Sequence, residues 1–242
     1  MKVAALYDVH GMPGALAPVL AEVELEGVDA IVFGGDVFHG PFPAETLELV
    51  RSVDAQYVRG NCDREPSDWV TSKLGAEAVE WARSWPATVE LDGVLYCHAT
   101  PQSDLPVLTD ASPEERFAEV LEGVEARLVV SGHTHMQFQR DRWVNAGSIG
   151  MPYEGDVAAF WALIVSDQVP GHVPVSDQIP GHTPPRDMSR DLVRFRRTPF
   201  DVERAAVEVG ASGWPGADAF VAENLLNAPS RAEATAHFES LV

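Results

Sequence analysis

Asp8 with His10, then Asp36, Asn61, His98, and His133 with His135 each stand just after a short apolar run. Carboxylate, imidazole and amide oxygen are the ligands that hydrolytic divalent cations take. Loops at strand ends gather such groups from distant sequence onto one edge of a sheet. Gly11, Gly34, Gly35, Gly60 and Gly132 accompany them, and glycine permits the sharp turns and positive φ that such loops need. Any one of these motifs is weak, because an Asp-x-His arises by chance and a lone histidine at a strand end is usually a hydrogen-bonded surface residue. Their order along the chain makes the set a candidate metal constellation.

The elements that must position these residues alternate from the start. Apolar runs at Val3 to Tyr7, Ala30 to Phe33 and Gln56 to Arg59 are followed by amphipathic stretches at about Ala15 to Glu26, Ala44 to Ser52 and Asp68 to Arg83. That is a βαβα rhythm. Thr88 to Leu91 and Val94 to Cys97, joined by Asp92-Gly93, carry a strong hairpin signal. Further strands are expected at Arg127 to Val130, Gln137 to Arg140, Trp143 to Asn145, Ala158 to Val165 and Asp191 to Arg196. The order predicts an α/β (α+β) fold of two packed mixed β-sheets flanked by helices.

The simplest organisation is one domain over residues 1–242 with a proline- and glycine-rich insertion at 166–190 and a helical segment at 201–242. The insertion holds a tandem ten-residue repeat, Ser166 to Val175 and then Ser176 to Pro185, expected as an extended loop. Its His172 and His182 are copied with the repeat and are expected to ligate nothing. Helices are expected at about Asp201 to Val209 and Ala217 to Leu226, and a third is opened by Pro229-Ser230 with Ser230 as N-cap.

At 242 residues, 45% hydrophobic and 22% charged, the chain is long enough for a full core and has no disordered composition. No run approaches the roughly 18 apolar residues of a membrane helix, and no signal-peptide pattern precedes the first strand, so a cytoplasmic location is expected. Cys62 and Cys97, the two cysteines, are too few for a disulfide framework. The formal charge of −20, from 37 acids against 17 bases, repels nucleic acid and anionic membrane at long range. A small phosphorylated substrate is still admitted, because bound cations reverse the field inside one pocket. Oligomeric state is not legible.

Asp8-Val9-His10-Gly11, Gly35-Asp36, Gly60-Asn61-Cys62-Asp63, His98 and Gly132-His133-Thr134-His135 together resemble the calcineurin-like metallophosphoesterase family over about residues 1–165. Asn145-Ala146-Gly147-Ser148 and Met151 to Asp156 look like the segment after the last ligand motif in its small bacterial phosphodiesterase branch. The resemblance implies two divalent metal ions, with manganese, iron, zinc, cobalt and nickel all suited to the nitrogen and oxygen ligands. Asp8, His10, Asp36 and His135 would hold one ion, and Asp36, Asn61, His98 and His133 the other, with Asp36 bridging. The expected activity is hydrolysis of a phosphoester, small phosphodiesters foremost, by a hydroxide bridging the ions. Asp36 and Asn61 are therefore expected as catalytic residues too. A related scaffold subunit of the retromer keeps the fold with a degraded ligand set, so a metal-binding scaffold with negligible turnover is the alternative.

Serine/threonine phosphatases of the family usually show Asp-Arg-Gly after the second motif and His-Glu in the third, whereas this chain has Phe38-His39-Gly40 and Cys62-Asp63. Where many relatives carry a histidine thought to protonate the leaving group, Cys62 stands, and a thiol lowered by nearby cations would repel phosphate. His39, in the loop of the expected bridging ligand, is the candidate replacement acid. Cys62 and Cys97 adjoin Asn61 and His98; two ordinary buried thiols at loop ends account for them, with a redox pair as the minor alternative.

Overall fold

Along β1 (Lys2–Leu6) alternate side chains enter two different cores. Val3 and Ala5, with Tyr7 beyond the strand end, pack with Val32, Val94, Tyr96, Leu128, Val130, Val144 and Ile164 between two sheets. Ala4 and Leu6 point the other way, into a core shared with Leu16, Val19, Phe33, Trp161, Leu163 and Val209. A period of two places these sets on opposite faces, and burial of both faces explains the continuous apolar run.

The molecule is described here by a computed structural model that covers residues 1–166 and 191–241. After β1 come α1 (Pro13–Glu26), β2 (Ala30–Phe33), α2 (Pro43–Arg51), β3 (Gln56–Tyr57), α3 (Asn61–Arg64), α4 (Asp68–Arg83), β4 (Thr88–Leu91) and β5 (Val94–Cys97). Then follow α5 (Glu114–Val120), β6 (Leu128–Ser131), β7 (Gln137–Arg140), β8 (Trp143–Ala146), β9 (Ala159–Ser166) and β10 (Asp191–Thr198). The chain closes with α6 (Val202–Ala211), α7 (Ala217–Phe220), a π-helical turn at Val221–Leu225 and α8 (Arg231–Glu239).

Two five-stranded sheets result, ordered β10-β9-β1-β2-β3 and β4-β5-β6-β8-β7. In the first, β1, β2 and β3 run parallel, β9 runs antiparallel to β1, and β10 antiparallel to β9. In the second, β5, β6 and β8 run parallel and the edge strands antiparallel. The predicted fold of two packed mixed sheets with flanking helices is the one observed. Asp92 and Gly93 turn the β4–β5 hairpin with φ of 49° and 72°, the positive values that a two-residue turn of this kind requires.

The expected helix over Ala217 to Leu226 changes pitch instead: Leu226 N donates to Val221 O, five residues back, at 2.9 Å. Ser230 caps α8 as expected, with Glu233 reaching back to complete a capping box. The short α5, whose Phe117 closes an outer cluster with Cys97, Val129, Phe138 and Trp143, was not among the predicted elements. Almost all of the expected 166–190 insertion, with His172 and His182, lies outside the described residues. No helix among the described residues is long and apolar enough to cross a membrane.

Candidate metal centre

The predicted ligands follow the C-terminal ends of parallel strands: Asp8 and His10 after β1, Asp36 after β2, Asn61 after β3, His98 after β5, and His133 and His135 after β6. In open α/β sheets that edge is where loops converge on a ligand. Backbone bonds join the first two loops rung by rung. Asp8 N donates to Gly35 O, His10 N to Asp36 O and Gly11 N to Val37 O, each at 3.0–3.1 Å. Ser148 Oγ donates to Asp8 O at 2.8 Å. Asp8, His10, Asp36, His133 and His135 all have positive φ, between 50° and 69°; among the described residues the other non-glycine cases are Asp92 and Asp141, in the hairpin turns. Left-handed backbone costs an ordinary residue about 1–2 kcal/mol, and it persists where surrounding structure enforces it.

The four imidazoles each place one nitrogen beside a backbone carbonyl. His10 Nδ1 lies 3.2 Å from His39 O, His135 Nδ1 2.8 Å from Met151 O, His98 Nδ1 3.0 Å from Gly34 O, and His133 Nε2 3.2 Å from Leu105 O. A carbonyl only accepts, so each of these nitrogens donates, and in the neutral ring the opposite nitrogen carries a lone pair.

Those lone pairs converge at two places. His10 Nε2 is 3.1 Å from His135 Nε2. The two stand 3.8 Å and 3.3 Å from Asp8 Oδ1, a buried oxygen that accepts no hydrogen bond from the described residues. Beside them, His98 Nε2 is 3.2 Å from His133 Nδ1, 3.1 Å from Asn61 Oδ1 and 3.6 Å from Asp36 Oδ2. The Asn61 amide can be seated either way round. Turned over, its nitrogen would donate to both imidazoles; with Oδ1 inward the group is a fourth acceptor. Acceptors facing one another repel unless a proton or a cation lies between them, so both clusters fit a divalent cation on donor chemistry alone. Asp8, His10 and His135 bring ligand atoms within 4.8 Å of one another, and so do Asp8, Asp36 and His98.

Charge agrees with that fit. Burial, with His135 next, depresses His10 to a pKa of about 4, and burial with His98 does the same to His133, to about 4. Both are neutral at pH 7, as ligands must be. Burial pushes the Asp8 and Asp36 carboxyls up, but neighbouring histidines outweigh it and hold both below the usual range. For His98, burial pulls down and the charges of Asp36 and Asp8 prevail upward. Two buried carboxylates leave the site short of positive charge, which a cation supplies.

The calcineurin-like phosphoesterase superfamily domain matches residues 1–168. The chain belongs to that superfamily. Its members are metal-dependent phosphoesterases, and the residues that meet here are candidate ligands for their divalent ions. The chain is similar to a metallophosphoesterase from Sphaerobacter thermophilus, with 20% identity, a TM-score of 0.69, and coverage of 94% of this chain and 99% of the other. It is also similar to a hypothetical protein from Pyrococcus horikoshii, with 19% identity, a TM-score of 0.70, and coverage of 91% and 97%. At such identities the likeness concerns the fold. No curated protein matches the sequence.

The other predicted residues of this phosphoesterase lie at the rim of the centre. The His39 ring meets His10 edge to face at 6.1 Å between centroids and Trp214 at 6.4 Å. Cys62 N donates to Asp36 Oδ1 at 2.8 Å, while burial, then Asp36, pushes the Cys62 thiol far up. The protein's own groups thus oppose the thiolate expected from cations. Both cysteines are free, and the Cys97 side chain belongs to the outer cluster behind the sheet; the structure gives a redox pair no support.

Asp63, in the Gly60-Asn61-Cys62-Asp63 motif, has a role that the sequence does not reveal. It is 3% exposed and accepts from Asp36 N at 2.7 Å, Val37 N at 3.1 Å and Gly60 N at 3.0 Å, clamping the Asp36 and Asn61 loops together. Burial, then Asp36, raises it to about 7. Tyr153 leans on the His135 ring at 4.9 Å and meets Phe238 of α8 at 6.0 Å. Its signal was the family-like segment at 151–156, which pointed to the place but not to the contact.

Proposed function

We propose that this phosphoesterase hydrolyses small phosphodiesters using two divalent cations, one held by Asp8, His10, Asp36 and His135 and one by Asp36, Asn61, His98 and His133. The observation that carries this is the pair of acceptor clusters, His10 Nε2 and His135 Nε2 beside the unpartnered Asp8 Oδ1 in one, and His98 Nε2 and His133 Nδ1 beside Asp36 Oδ2 in the other. The clusters adjoin through Asp8 and Asp36, as a shared centre needs. When bound, such cations act as Lewis acids on a phosphoryl oxygen and bring the pKa of a coordinated water toward neutrality.

The chain's own groups do the rest. Carbonyls of His39, Met151, Gly34 and Leu105 fix the imidazole tautomers, the orienting role that outer partners play at metal sites. Asp63 holds the Asp36 loop, and Cys62 N keeps Asp36 Oδ1 in place. His39, at the edge of His10, donates a proton to the departing alkoxide, a task for which the high thiol of Cys62 is unsuited. The substrate is small and phosphorylated, in keeping with the net charge of −20. Every expected ligand position carries a competent residue, so the scaffold alternative has nothing to favour it.

The test restores Mn²⁺, Ni²⁺, Co²⁺ or Zn²⁺ singly to metal-stripped protein and assays a nitrophenyl phosphodiester against nitrophenyl phosphate. The expected result is two ions per chain, diester hydrolysis above monoester, and loss of both activities in Asp36→Asn. Two bound ions with neither ester cleaved would refute the proposal.

A further inference from the structure

Behind His98 lies a cavity of about 170 Å³ whose lining includes Arg59, Arg64, Thr100, Gln102, Ser103 and Asp104. His98 is common to this cavity and to the metal centre. Water occupies about 30 Å³ per molecule in the liquid, so the space has room for a carboxylate or phosphoryl group.

The cavity's charge is unusual for so acidic a chain. Arg59, Arg64 and Arg83 are tied in series: Arg59 Nη1 donates to Arg83 O at 2.9 Å, and Arg83 Nε to Arg64 O at 3.3 Å. Arg64 is neutralised, since its Nε and Nη2 meet the Asp104 carboxylate at 2.8 Å and 3.2 Å and it also pairs with Glu65. Arg83 pairs with Glu80. Arg59 forms no ion pair with any of the described residues, and its Nε is buried without a hydrogen-bond partner. A guanidinium without a carboxylate partner, at the lining of a cavity it shares with His98, leaves positive charge there for a planar or tetrahedral anion. Thr100 and Gln102 do not compete, because their side chains donate to the carbonyls of Ser103 and Val120.

We propose that this cavity is an anion subsite that takes a second negatively charged group of the substrate, with Arg59 as its principal partner. This rests on the phosphoesterase reading above and narrows it to phosphoesters carrying a carboxylate or second phosphate on the side of Asn61 and His98. Asp104 sets the strength of the subsite by holding Arg64.

The test uses the full chain with Mn²⁺ and two uncleavable probes of equal length, 3-phosphonopropionate and propylphosphonate, titrated by calorimetry. The carboxylated probe is expected to bind roughly tenfold more tightly, the equivalent of one charge-assisted hydrogen bond. Arg59→Met should bring the ratio near one, Arg59→Lys should restore part of it, and Asp104→Asn should widen it by freeing Arg64. Damage to the fold would not produce that gain. A ratio near one in the unaltered protein, or a ratio untouched by Arg59→Met, overturns the subsite. Nitrophenyl ester hydrolysis on the same samples separates the two ideas. Hydrolysis without probe preference removes the subsite alone, and probe preference without hydrolysis removes the phosphoesterase reading alone.

Discussion

Gly60→Ala is expected to disable the metal centre without asking the backbone for a forbidden conformation. Gly60 has φ −88° and ψ 173°, which alanine adopts freely, so the effect is steric. A Cβ there would lie 2.2 Å from Asp36 Oδ1 and 2.5 Å from Asp36 N, against an ordinary contact of 3.4 Å or more. The Asp36 carboxylate or the Asn61 loop must therefore retreat by about 1 Å. Overpacking of that kind costs about 1–3 kcal/mol. The retreat also strains the Asp36 bonds to Cys62 N and Asp63, at 2.8 Å and 2.7 Å, each a hydrogen bond to a charged group with a net value of about 1.5–3 kcal/mol. Partial loss of these brings the total to about 3–5 kcal/mol, a fall in Tm of roughly 10 °C for a chain of this size. A 1 Å misplacement of a ligand costs about 10²-fold in rate. The control is Gly210→Ala in α6, where an added Cβ meets nothing within 4 Å and helix propensity predicts a gain of up to about 1 kcal/mol. Calorimetric unfolding, metal content and ester hydrolysis are measured together. A Gly60→Ala protein that melts early yet keeps full metal content and rate would show that Asp36 is not a ligand.

Two further outcomes follow from buried charge. His10 titrates at about 4 in the fold against 6.5 in the open chain, so below pH 6.5 the unfolded state takes up the proton first. Metal-free protein should therefore lose stability relative to His10→Gln as pH falls from about 6.5 to about 4, by roughly 3 kcal/mol at the end of that window. Urea unfolding of both proteins at pH 8 and pH 4.5 checks this, and parallel curves would refute it. Arg231 at the start of α8 donates to Gln137 O at 2.7 Å and pairs with Glu154 at 2.8 Å and Asp110 at 3.3 Å. Arg231→Met leaves the nearly buried Glu154 without its cation and should cost about 2 kcal/mol, seen as a fall in Tm that Glu154→Gln in the same chain partly reverses.

The frame of this fold was readable because its signals are local. Strand runs that end in a ligand, the Asp92-Gly93 turn and the Ser230 cap each depend on residues a few positions apart. Elements that depend on packing were not readable, such as α5, which is anchored by Phe117 against Trp143, and the pitch change at Val221. The site divides the same way. Its candidate ligands stand out by type and place, but Asp63 acts on donors from two loops, and His39 meets a Trp214 that is far away in the chain. The state of Cys62 depended on burial and the Asp36 charge, neither of which neighbouring letters reveal.

The strained ligands and the glycines around them have one explanation. Parallel strands end side by side, and a side chain leaving a strand in its ordinary direction alternates between the two faces of the sheet. To turn Asp8, His10, Asp36, His133 and His135 toward a common point above the sheet edge, each enters the left-handed region. The cost is spread over bonds that cross between loops: Asp8 N to Gly35 O, His10 N to Asp36 O, Gly150 N to Asp8 O, and His133 N to Asp8 Oδ2 at 2.9 Å. Such crossing bonds require backbone to approach backbone and carboxylate at van der Waals distance, which a Cβ at Gly60 or Gly132 would prevent. The glycines are therefore part of the geometry that brings these acceptors together. Preorganisation of this kind places the repulsion in the folded protein and its relief in the bound cation, so that metal binding and the stability of these loops are one equilibrium.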